Sequence, residues 1–127
     1  MSKNLQGLKV LVVEDDAMQA MAYCDILADL GAETLGPFST ATAACAAISS
    51  SHIDVAVIDF ALGDGNANGL EDALELRGIP YIVVTGFPKV LVRHHEQQVI
   101  YGKPLPSQML SQLVATMARE AGFNAHR

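Results

Sequence analysis

Short and almost continuously apolar runs alternate along this chain with longer stretches in which apolar residues recur at helical spacing. Leu8 to Val13, Val55 to Ile58 and Tyr81 to Val84 are the strongest runs. Such runs suit parallel strands covered on both faces, and their alternation with helical segments is the pattern of βαβ units. Asp16 is placed to cap the first helix, with Gln19 three residues on. Ala20, Tyr23, Leu27 and Leu30 then lie at helical spacing, and Gly31 is the expected stop. Ala32 to Gly36 is a weaker strand candidate, and Ser39 or Thr40 opens an alanine-rich helix to about Ser50. The turn-forming stretch LGDGNANG follows the third strand and leads into a helix expected from about Leu70 to Arg77, ended by Gly78. Pro80 introduces the fourth strand, and Val99 to Tyr101 is the last. Leu110, Leu113, Val114 and Met117 mark an amphipathic closing helix, while residues 88–96 carry at most a brief one. Five strands and about five helices in alternation predict a doubly wound parallel sheet, with its ligand site at the carboxyl ends of the strands.

Length and charge narrow the function. At 127 residues, half of them apolar, the chain is read as one domain, with residues 1–7 as a polar N-terminal tail and no room after the last helix for an output domain. Eight basic against fourteen acidic residues, a net charge of −6, argue against nucleic-acid backbones and anionic membranes as partners. A protein or a small ligand is expected instead. No apolar run approaches the roughly 20 residues that span a bilayer, and MSKNLQG lacks the core of a secretory signal, which favours the cytoplasm. Cys24 and Cys45 lack the spacing of a metal or redox site and are read as free thiols.

The residues that follow the strands carry the chemistry. Glu14 and Asp15 follow the first strand, Asp59 the third, Thr85 the fourth and Lys103 the fifth. An acidic pair before a helix is by itself an ordinary turn and cap. Three carboxylates at one sheet edge, however, repel one another unless a cation intervenes or one stays protonated. Mg²⁺ suits such a site, since it favours carboxylate, water and phosphate oxygens. Asp59 is then a nucleophile candidate for a phosphoryl group, a transfer that depends mainly on alignment and charge neutralisation. Lys103 would add a point charge and Thr85 a hydroxyl donor. His94 and His95 read as surface residues, and Asp64 and Asn66 as turn formers with no required function.

The stretches VLVVEDD (10 to 16), VAVIDF (55 to 60), VVTGF (83 to 87) and GKP (102 to 104) together resemble the response-regulator receiver family, in order and in strand context. The resemblance implies a flavodoxin-like strand order 2-1-3-4-5 with helices on both faces. It implies Asp59 as phosphoacceptor, with Mg²⁺ held by Glu14, Asp15, Asp59 and the backbone carbonyl of Ala61. Glu14 would orient metal-bound water, Phe60 or Ala61 would lend backbone groups, and Thr85 and Lys103 would bind the phosphoryl group. It also implies a sensor histidine kinase or histidine phosphotransfer protein as donor and a downstream protein target. The Lys103–Pro104 bond is commonly cis in that family. Many receivers carry an aromatic residue three positions before the lysine, where this chain has Ile100. PYIVVTGFP is similar instead to a subgroup with an aromatic after Thr-Gly, so Thr85, Gly86 and Phe87 are the expected switch. Two other readings stay open: an Mg-dependent aspartyl-phosphate hydrolase, which would usually carry a second Asp where this chain has Ala61, and a receiver-like binding module that is never phosphorylated.

Overall fold

The structure is a computed structural model and describes residues 5–86, 100–103 and 105–123. The apolar runs form β1 (Lys9–Val13), β2 (Glu33–Phe38), β3 (Val55–Asp59), β6 (Tyr81–Thr85) and β7 (Ile100–Gly102). Two short strands, β4 (Ala61–Leu62) and β5 (Gly65–Asn66), lie between them. The helices are α1 (Ala17–Asp29), α2 (Ala41–Ser50), α3 (Asn68–Leu76) and α4 (Ser107–Glu120). The five longer strands make one parallel sheet in the order β2-β1-β3-β6-β7. Numbered within that sheet alone the order is 2-1-3-4-5, the flavodoxin-like arrangement. Four helices are present among the described residues; the brief helix considered for 88–96 lies outside them.

Strand parity sorts the core into two layers. Val10, Val12, Val55, Val57, Ile82 and Val84 face Tyr23 and Leu27 of α1 and Leu110, Val114 and Ala118 of α4. Leu11, Val13, Ala56, Ile58, Tyr81 and Val83 face Ala44 and Ile48 of α2 and Leu70 and Leu74 of α3. Each fully buried leucine contributes about 1.5–3 kcal/mol through removal from water, and both faces need such cover because neither alternates with polar residues.

The helix ends follow the chemistry of their residues. Asp16 Oδ1 accepts the N–H groups of Met18 (2.9 Å) and Gln19 (3.2 Å), the expected N-cap of α1. Gly31, at φ 91°, closes the helix: its N–H bonds to Ala28 O and the Ala32 N–H to Leu27 O, a Schellman arrangement that a residue with a side chain would strain. Thr40 caps α2 by accepting from the Ala43 N–H at 3.2 Å.

Three segments differ from expectation. β2 runs on to Phe38 instead of stopping near Gly36, because it is the edge strand and only partly covered, which leaves a weak apolar signal. LGDGNANG is not plain loop: Ala61 pairs with Asn66 and Leu62 with Gly65 in a small antiparallel hairpin. The tail expected over residues 1–7 is docked from Leu5 onward, whose side chain is buried in the core and whose N–H donates to Leu30 O. None of the described helices is long and apolar enough to cross a membrane.

Candidate functional site

The register of the sheet brings the acidic residues together. Val13 pairs with Ile58 and Asp59 with Val84, so one step beyond β1 the chain sets Glu14 beside Asp59. Residues two apart in a strand share a face. Glu14 therefore continues the row of Val10 and Val12, and Asp59 that of Val55 and Val57, both on the α1/α4 side. The Lys103 N–H donates to Thr85 O at 2.8 Å, which ties the end of β7 to the end of β6 and fixes where the lysine begins.

Lys103 reaches across both acids. Its Nζ donates to Asp59 Oδ2 at 3.0 Å and to Glu14 Oε2 at 3.0 Å. Glu14 Oε2 also accepts the Asp16 N–H at 3.1 Å, and Asp59 Oδ1 accepts the Ala61 N–H at 3.3 Å. Glu14, Asp59 and Thr85 are buried, Lys103 is half-buried and Asp15 is exposed. Burial pushes the Glu14 carboxyl up from 4.5 to about 7; the hydrogen bond from Lys103 opposes this, and the neighbouring Asp59 adds to it. Burial also pulls Lys103 down, but its bonds to Glu14 and Asp59 outweigh that and hold it above the usual lysine range.

The donor set fits a hard divalent cation. Glu14, Asp15 and Asp59 each offer a carboxylate oxygen, and these atoms lie within 4.8 Å of one another. Against one ammonium, three carboxylates leave two formal negative charges for a cation to balance. One oxygen has acceptor capacity to spare: Glu14 Oε1 lies 3.0 Å from Nζ, is buried and accepts no hydrogen bond. An all-oxygen set of this kind suits Mg²⁺ better than softer metals.

The structure thus brings together Glu14, Asp15, Asp59 and Lys103, with Thr85 buried at the end of β6. Phe60 is half-buried, its N–H bonded to Val84 O and its carbonyl accepting the Ala67 N–H, and Ala61 is exposed. Gly86 is exposed, while Phe87, Pro104 and with it the Lys103–Pro104 bond, His94 and His95 lie outside the described residues. Cys24 and Cys45 are free thiols. Asp64 was read as a turn residue without further role, yet its carboxylate accepts the Ala41 N–H (2.8 Å), the Thr42 N–H (3.1 Å) and the Thr42 hydroxyl (2.7 Å). It locks the hairpin after Asp59 onto the start of α2. Nothing local in the sequence points to this contact, since the partners are more than twenty residues away and Thr40 already supplies a cap.

No family model and no curated protein matches the chain. Solved structures do. SdrG from Sphingomonas melonis Fr1 is 26% identical, with TM-score 0.76 over 92% of this chain and 98% of that one. A response regulator receiver domain protein (CheY-like) from Methanospirillum hungatei JF-1 is 25% identical, with TM-score 0.77 over 91% of this chain and 97% of that one. The signal receiver domain of a LuxO repressor protein from Vibrio parahaemolyticus shares the fold at 24% identity and TM-score 0.79, over 91% of this chain and 92% of that one. With likeness at this level running along about 90% of the chain, and an acidic cluster in place where its strands end, we identify the chain as a response-regulator receiver (CheY-like) domain.

Proposed function

We propose that the chain is the receiver domain of a cytoplasmic response regulator. It accepts a phosphoryl group on Asp59 from a histidine kinase or histidine phosphotransfer protein and signals through protein contacts. The observation that carries this reading is the bridge from Lys103 to Asp59 and Glu14 at the strand ends, with Asp15 beside them. A buried carboxylate held 3.0 Å from an ammonium is fixed in place beside a positive charge, and alignment and charge neutralisation are what attack on phosphorus requires. Asp59 is the acceptor. Glu14, Asp15 and Asp59, with the carbonyl of Ala61, are the residues for Mg²⁺, which when bound neutralises phosphoryl oxygens. Lys103 and the Thr85 hydroxyl bind those oxygens once Asp59 carries them. The switch of the reading is Thr85, Gly86 and Phe87.

Purified protein incubated with Mg²⁺ and a small acyl phosphate tests this. One labile, hydroxylamine-sensitive phosphoryl group per chain, absent in Asp59→Asn, is the expected result. Repeated turnover of the donor would favour a hydrolase, and no incorporation a silent binding module. Asp15→Asn removes an anionic oxygen and should weaken Mg²⁺ binding in a calorimetric titration; unchanged affinity would move the metal away from Asp15.

A further inference from the structure

Tyr23 lies in the α1/α4 core layer, together with Val12, Val57, Val84 and Leu105. Val12 and Val57 stand two residues before Glu14 and Asp59 on the same strand face, and Leu105 two residues after Lys103. The ring shares the core layer whose rows end at the acidic pocket, and the charges of Glu14, Lys103, Asp59 and Asp16 all act on its phenol. Only 2% of Tyr23 is exposed, and its phenol oxygen is buried with no hydrogen-bond partner. Glu14 Oε1 is also buried and accepts no hydrogen bond, although it lies 3.0 Å from the Lys103 ammonium. A buried hydroxyl lacking an acceptor and a buried carboxylate oxygen with an unused lone pair are complementary, and native interiors rarely leave such groups unmatched. One water between them would satisfy both.

We infer that Tyr23 is a positioning residue for the pocket: its O–H, relayed by one buried water, donates to Oε1 of Glu14 and fixes the orientation of that carboxylate. The inference rests on the metal-binding reading of the pocket and adds a member to it from the helix core. Burial, helped by the negative charge of Glu14, pushes the phenol up to about 12, so it remains a donor at any pH at which the protein works. A carboxylate held by Tyr23, the Asp16 N–H and Lys103 has little freedom to rotate away from a cation.

Tyr23→Phe removes the oxygen and keeps the ring. It should melt with the parent yet bind Mg²⁺ about tenfold more weakly, the lower end of the range for losing an outer partner of a metal ligand. In a Glu14→Gln background the same change should have no further effect on Mg²⁺ affinity. In the chelated parent, the Tyr23 ring protons should show cross-relaxation to a long-lived water. A folded Tyr23→Phe that binds Mg²⁺ within twofold of the parent overturns the inference, as does an equal loss in the Glu14→Gln background. Should the parent bind no Mg²⁺, the metal reading fails, and the water contact in chelator alone decides: its presence supports the bridge and its absence refutes it.

Discussion

Replacing Glu14 by glutamine should stabilise the metal-free protein above neutral pH and destabilise it slightly in acid. The Glu14 carboxyl is raised from 4.5 to about 7 by burial and by the neighbouring Asp59. A raised carboxyl binds its proton more tightly in the fold than in the unfolded chain, so the ionised form works against folding. The penalty is absent below 4.5, grows as pH rises to about 7, and is complete above that. At about 1.4 kcal/mol for each factor of ten in proton affinity, its ceiling is about 3 kcal/mol. Glutamine keeps the shape and an oxygen for the Asp16 N–H, but its buried amide lacks a full set of partners, which lowers the expected gain to about 2 kcal/mol. For a domain of this size that is roughly 8 °C in Tm. Urea and thermal unfolding in chelator at pH 4.5 and pH 8 measure it. A gain of equal size at both values, or a loss at pH 8, would refute the assignment of the penalty to an ionised Glu14.

Asp64→Ala should lower Tm at neutral pH, because it unties the hairpin from the start of α2. The Thr42 hydroxyl, then the Ala41 and Thr42 N–H groups, hold this carboxyl below its usual range. Its contribution is therefore present above the unfolded carboxylate pKa and is lost as pH falls through the folded one, so parent and variant should converge in acid. Leu110→Ala empties a fully buried site on α4 and should cost about 2–5 kcal/mol in denaturant unfolding, a value that a solvent-exposed α4 face could not give. A beryllofluoride phosphate mimic should change amide exchange most in residues 85–101; an unchanged segment with a response elsewhere would reject Thr85, Gly86 and Phe87 as the switch.

The sequence made the sheet legible where burial is two-sided. β1, β3 and β6 are apolar on both faces, so composition marks them without help from periodicity, and the residues just past them fall where the parallel sheet gathers its ends. β2 was harder to bound because an edge strand is only partly covered. The cap of α1 could be read from Asp16 because a cap acts over three residues. The Asp64 contact could not, since it joins segments more than twenty residues apart and depends on how the hairpin folds back. Nor did helical spacing distinguish Tyr23 from any other core residue; only the burial of its oxygen without a hydrogen-bond partner does so. Leu5 is a similar case, a single apolar residue in polar surroundings whose burial comes from the turn that docks it.

The valine rows of β1 and β3 act as a ruler for the acids at their ends. A one-residue deletion within either strand would reverse the parity of everything after it up to the next turn, carrying Glu14 or Asp59 to the α2/α3 side, away from Lys103. Removing two residues would preserve parity and shorten the reach by one step of the pleat. Length variation in relatives of this chain should therefore be confined to the turns at the opposite edge of the sheet and to the helices, while the interval between the first apolar residue of each strand and its terminal acid stays even-numbered.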